Sequence, residues 1–103
     1  MIRISMDVDA MLLEVTGHAH SAPKGQDIVC AAVSTLVYTL AQNLMLTLHD
    51  EDYSVILTEG HSYIEAHPPE AQEDQCHHVF MTIANGLCML EAQYGQYIHF
   101  EGN

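Results

Sequence analysis

A chain of 103 residues with 49% hydrophobic content has material for one core and one domain, 1–103. Only Arg3 and Lys24 are basic, and the formal net charge of -12 leaves no patch able to neutralise a phosphate backbone, which argues against nucleic-acid binding and suits a basic partner. The start Met1-Ile2-Arg3-Ile4-Ser5-Met6 is too short and interrupted for a signal peptide and no run approaches membrane-spanning length, so a cytoplasmic protein without a membrane association is expected.

Ile2, Ile4 and Met6 alternate with Arg3 and Ser5, which predicts a strand turning at Asp7-Val8-Asp9 into a second strand from about Met11 to Thr16. Asp27 is a good helix N-cap. After it, Val29, Ala32, Val33, Leu36, Leu40 and Leu44 keep helical spacing to near Leu48. Acidic Asp50-Glu51-Asp52 breaks that pattern. Tyr53 to Thr58 and Ser62 to His67, divided by Glu59-Gly60, then predict a second hairpin, stopped by Pro68-Pro69. Glu70, Glu73 and Asp74 suit a second helix start, and Phe80, Ile83, Leu87, Leu90 and Tyr94 continue it at spacings of three and four. Gly95 ends it, and Tyr97 to Phe100 alternates as a last strand. The order ββαββαβ is that of an α+β protein, with two amphipathic helices on a mostly antiparallel sheet of about five strands.

Chemistry concentrates where the second strand ends and the first helix begins. His18 stands at the strand end and Cys30 in the first turn of the helix, where unpaired backbone N–H groups and the helix dipole favour a thiolate. An imidazole within reach completes a Cys/His pair able to take up an acyl group. Taken alone, a free cysteine at such a position is more often a small core residue, and with eight histidines in the chain a lone His carries little weight.

The surrounding residues alter that balance. Gly17-His18-Ala19, followed after a short loop by Gly25-Gln26-Asp27-Ile28-Val29-Cys30-Ala31-Ala32-Val33-Ser34, resembles the ribosomal-processing cysteine protease family, Prp, whose pattern is Gly-His-Ala and then Gly-x-Asp-Ile-Val-Cys-Ala-Ala-Val-Ser. The likeness extends more loosely along the whole chain, to a long second helix and a final strand around Tyr94-Gly95-Gln96-Tyr97. It implies Cys30 as nucleophile and His18 as base. The implied substrate is the N-terminal extension of the large-subunit ribosomal protein L-twenty-seven, cut after an aromatic residue, with no cofactor required and a homodimer as the assembly. Such an extension is usually basic, in keeping with the acidic chain. The backbone N–H groups at the helix start, that of Cys30 included, are expected to hold the oxyanion.

Three further residues are candidates for support or substrate binding. Gly17 allows close backbone approach at the strand end. Asp27 is either the cap alone or also an orienting partner of His18. Ser34, one helical turn after Cys30, either faces the site or back-bonds to the Cys30 carbonyl. The loop 19–26 resembles a flap that closes over substrate, though an ordinary surface loop fits its residues as well.

Rival readings are a binding module that holds a ribosomal or phage protein tail without cutting it, and the same protease acting on a phage capsid or scaffold protein. Cys76-His77-His78 suggests a metal at first sight. Adjacent histidines on a helix diverge, however, and no paired frame of ligands accompanies them, so no metal is expected. Cys30, Cys76 and Cys88 are an odd number without repeated spacing, which fits free thiols in a reducing compartment.

Overall fold

The computed structural model describes residues 1–19, 22, 23 and 27–102. Its elements are β1 (Ile2–Asp7), β2 (Leu12–Thr16), α1 (Ile28–Thr47), β3 (Tyr53–Thr58), β4 (His61–Ala66), α2 (Glu73–Tyr94) and β5 (Ile98–Gly102). Single 3-10 turns at Asp50–Asp52 and Glu70–Gln72 precede β3 and α2. The predicted order ββαββαβ is the observed one.

The five strands form one sheet in the order β3-β4-β2-β1-β5. All neighbours are antiparallel except β1 and β5, which pair in parallel with Ile2 opposite Ile98. Strand alternation decides the faces. Ile2, Ile4, Met6, Leu13, Val15, Ile64, Ala66 and Ile98 are buried on one face, beneath the helices. Arg3, Ser5, Glu14, Tyr63, Glu65 and His99 occupy the other, where His61 Nε2 lies 2.8 Å from Glu14 Oε2 across the β2–β4 ladder.

The helices complete the core with Val33, Val37, Leu40 and Leu44 of α1 and Phe80, Ile83 and Leu87 of α2. Each such side chain contributes roughly 1.5–3 kcal/mol by leaving water. Close approach of the two helices shows at Gly86, where an added methyl would sit 2.9 Å from Leu36 Cδ1.

Several sequence expectations need correction. At 20 residues α1 is long and apolar enough to cross a membrane, contrary to the reading that no run approaches that length. Its stripe Val29, Val33, Val37, Leu40, Ala41 and Leu44 is nevertheless buried within the domain. The prolines are followed by a 3-10 turn rather than directly by α2, whose first regular residue is Glu73. Gly95 does end α2, but with a right-handed φ of -58°, so the stop is not the left-handed glycine cap. The turn closes instead through Tyr97 N–H donating to Tyr94 O at 2.8 Å.

Candidate active site

The site forms where the end of β2, the start of α1 and the β3–β4 turn converge. Pairing of β2 with β4 sets Thr16 opposite His61, which brings the turn Glu59-Gly60 beside Gly17. Gly17 N–H donates to Gly60 O at 3.0 Å. Both glycines are required by their backbones, with φ of +89° and +80°. At Gly17 a Cβ would in addition fall 2.3 Å from Met1 O, so the close approach read from the sequence is present.

His18 follows on the surface and Ala19 turns back into the core, only 4% exposed. The Ala19 N–H donates to Cys30 Sγ at 3.3 Å. On the other side of the sulfur, Asp27 caps α1 with an extended backbone, φ -80° and ψ 98°, and its Oδ1 accepts N–H bonds from Val29 and Cys30, each at 3.0 Å. Cys30 is thus the third helical residue, half-buried and held between two elements.

His18, Asp27, Cys30 and Ser34 line one cavity of about 530 Å³ with Gly17 at its edge. The structure therefore brings all five sequence-predicted residues together. Ile2, Val15, Val33, Tyr38 and Leu57 give the cavity apolar walls, and Thr58, Glu59, Gly60, His61 and Ser62 form its other rim. Those rim residues and Tyr38 were missed from the sequence. The signal for Glu59-Gly60 was read only as a turn, because nothing local tells that β4 pairs with β2.

Ser34 is half-buried at the cavity. On either side of the site the back-bonding expected of mid-helix hydroxyls is made by Thr35 to Ala31 O at 2.8 Å and by Thr39 to Thr35 O at 2.6 Å, as it is by Thr47 and Thr82 elsewhere, but not by Ser34.

Two expectations about the helix start change. The Cys30 thiol is pushed up from its ordinary value, first by burial, with the Asp27 carboxylate acting in the same direction through a hydrogen bond and its charge. The Ala19 N–H opposes this but does not reverse it. The dipole argument for a lowered value omitted the capping carboxylate that the helix start itself requires. The second concerns the oxyanion: the N–H groups of Val29 and Cys30 are engaged by Asp27 Oδ1, so the Cys30 N–H is not presented to a substrate in this arrangement.

In the loop 19–26, Ala19 is buried and Ala22 lines the cavity, while His20, Ser21, Lys24, Gly25 and Gln26, on which the flap reading also rests, lie outside the described residues. Elsewhere Cys76 is buried on α2, His77 Nε2 reaches Asp9 Oδ1 at 3.2 Å and His78 is exposed. Among the described residues no three His, Cys, Asp or Glu side chains converge as metal ligands would.

A family model described as cysteine protease Prp matches residues 1–99. The ribosomal processing cysteine protease Prp of Bacillus subtilis is 30% identical over 86 residues, covering 84% of this chain and 76% of that protein. An essential ribosomal processing protease Prp from S. aureus, solved in complex with a covalently linked product peptide, superposes over the full length of both chains with a TM-score of 0.81 at 23% identity. The same protease with a substrate peptide gives 0.76 at 22% identity, also over both full lengths. At those identities the two structures show the shared fold, and the sequence matches carry the family. The chain belongs to the cysteine protease Prp family and is a cysteine protease.

Proposed function

We propose that this protein is an endopeptidase that removes a short N-terminal extension from a ribosomal large-subunit protein, with Cys30 as nucleophile and His18 as general base and acid. The observation that carries the reading is the seating of Cys30 Sγ on the Ala19 N–H, in a cavity that His18 shares.

Because burial and the Asp27 carboxylate raise the Cys30 thiol, a base that accepts its proton has a defined task. His18 takes the thiol proton as Sγ attacks the scissile carbonyl, forming the C–S bond and a tetrahedral intermediate. On collapse the C–N bond breaks and the imidazolium gives its proton to the leaving amine. Water, deprotonated by His18, then attacks the thioester; the new carboxyl group leaves with one fragment and the thiol is restored. Gly17, Asp27 and Ser34 support this as backbone bend, helix cap and cavity-facing hydroxyl. With the Cys30 N–H engaged by the cap, the oxyanion draws its donors from elsewhere around the cavity or after the cap rearranges. The account requires no cofactor.

The apolar walls Val33, Tyr38 and Leu57 suit an aromatic side chain before the cut, and the net charge of -12 suits a basic extension. We place the protein in the cytoplasm, as a homodimer. Exposed Leu46 and Met89 on the outer sides of the helices are the apolar surface that a second copy would cover.

The test of substrate identity is to offer the purified protein the extended ribosomal protein and a phage scaffold protein from the same genome and to map any cut by intact mass. A single cut in the ribosomal protein after an aromatic residue is expected. Cleavage of the phage protein alone would move the reading to that substrate.

A further inference from the structure

The two edges of the sheet are finished differently. At β5 a carboxylate from α2 blocks the edge, with Glu91 Oε2 accepting the Phe100 N–H at 2.6 Å. At the opposite edge β3 reads Tyr-Ser-Val-Ile-Leu-Thr, with no charge, proline or bulge to discourage a neighbour. An edge left in that state is a template for one more strand.

The backbone groups on offer follow from the register. His67 N–H donates to Asp52 O at 2.7 Å and Thr58 faces His61 across a two-residue turn, so the bonds from β3 to β4 fall at Ser54, Ile56 and Thr58. The N–H and C=O groups of Val55 and Leu57 therefore point away from β4, and among the described residues no other backbone group bonds to them. This row leads into the cavity described above. Leu57 and Thr58 line it together with Cys30, Ser34 and Tyr38, which follow one another at four-residue steps along α1. Met45 continues that side of the helix seven residues after Tyr38, and Tyr38, Met45 and Leu57 are all exposed. At the other end of β3 stands the acidic turn Asp50-Glu51-Asp52.

We propose that the substrate peptide binds as a sixth strand on the free edge of β3, its backbone bonded to Val55 and Leu57 and its inward side chains laid against Tyr38, Met45 and Leu57. The inference rests on the reading of the protein as an enzyme that cuts a peptide. Main-chain bonds then supply affinity for an extended segment, and the side chains beside the edge supply preference. The six residues of β3 span about 20 Å, so a basic residue roughly six positions from the cut bond meets the acidic turn. A second copy seated on the same edge would instead stand across the entrance to the cavity, which a substrate must enter.

The test uses the full chain as Cys30→Ala, which binds without cutting, and a synthetic peptide spanning the junction of the extended ribosomal protein. Amide hydrogen exchange is followed residue by residue by ¹⁵N NMR, with and without the peptide. The proposal expects the Val55 and Leu57 amides to exchange rapidly in the free protein and to slow roughly tenfold or more with peptide bound, well beyond any change at Ser54 and Ile56. Peptides N-methylated at successive positions along the bound segment should lose about fivefold or more in affinity at every second residue, because an added strand bonds to its neighbour through alternate residues. Binding that perturbs Ser34 and Tyr38 but leaves Val55 and Leu57 exchanging as before would overturn the strand addition and leave the protease reading standing. Slow exchange at both amides without peptide, lost on dilution, would place a second copy on the edge and would also overturn it, as would the absence of any binding. Protection of both amides by the peptide, with no cutting by the wild type, would uphold the strand addition while the protease reading fails.

Discussion

Cys30 Sγ accepts the Ala19 N–H at 3.3 Å, so the sulfur rests against the peptide nitrogen that directly follows His18. One backbone atom thereby ties the candidate nucleophile to the segment carrying the candidate base. The tie depends on Gly17 turning the end of β2 and on Asp27 starting α1 at the right residue, because both ends must be fixed for a 3.3 Å contact across an eleven-residue separation.

Asp27 has two roles that substitution can separate. Asparagine also caps helices but carries no charge, so Asp27→Asn removes the carboxylate that opposes ionisation of Cys30 while leaving helix stability nearly intact. Its thiol is expected to ionise at lower pH and to react with iodoacetamide several-fold faster at pH 7 than in the wild type. Asp27→Ala gives up the cap as well and should lose about 1 kcal/mol of stability by urea titration. An unchanged alkylation rate in Asp27→Asn would show that the carboxylate does not act on the thiol.

Gly17→Ala meets a backbone obstacle, since the new methyl would lie 2.3 Å from Met1 O on a chain held at φ +89°. The left-handed backbone alone costs about 1–2 kcal/mol in a residue bearing a side chain, and β1 must also move away. We expect a loss of at least ~2 kcal/mol in a urea titration. Wild-type stability in this variant would mean that the strand end is more yielding than its geometry indicates.

Most of the fold was legible in the sequence because its signals are local. Ile2, Ile4 and Met6 alternate, Asp27 caps, and Phe80, Ile83 and Leu87 recur at helical spacing, each a property of a few adjacent residues. That His18 and Cys30 share one cavity was legible through the motif around them. What was hidden depends on pairing between distant segments. The β2–β4 ladder, which carries Gly60 to His18, joins strands separated by α1 and β3, and no residue in either strand announces its neighbour. The direction of the Cys30 shift was misread for a related reason: a helix start was treated as a bare dipole, whereas burial and the carboxylate of its own cap prevail.

The three cysteines differ in surroundings and should react in order of access. Cys88 is exposed, Cys30 half-buried and Cys76 only 5% exposed. Mass mapping after brief alkylation at pH 8 should find Cys88 modified first and Cys76 last, with Cys76 reacting only as the protein opens. Fast modification of Cys76 in the folded protein would contradict its burial in the core.

Alkaline conditions should weaken the fold. Burial pushes the Cys76 and Cys30 thiols up from 9.0, so as pH rises past that ordinary value the unfolded chain ionises before the folded one. The stabilisation is complete below the unfolded value and is lost as pH climbs toward the folded one. Tyr53 and Tyr63 shift in the same direction. Urea midpoints are therefore expected to be lower at pH 10 than at pH 7.5, with a smaller drop in Cys76→Ala than in the wild type. An equal drop in both would remove Cys76 from the account.

The central claim is that Cys30 and His18 together cut a peptide bond. Its most direct test incubates the N-terminally extended ribosomal protein with wild type, Cys30→Ala and His18→Ala, each checked for native circular dichroism, and reads both substrate and enzyme by intact mass. The account predicts one cut by the wild type, an acyl adduct on Cys30 in the acid-quenched wild type, and at least a thousandfold slower cutting by either variant, in the range expected for loss of a nucleophile or base. Cleavage by folded Cys30→Ala at a rate near that of the wild type would contradict it.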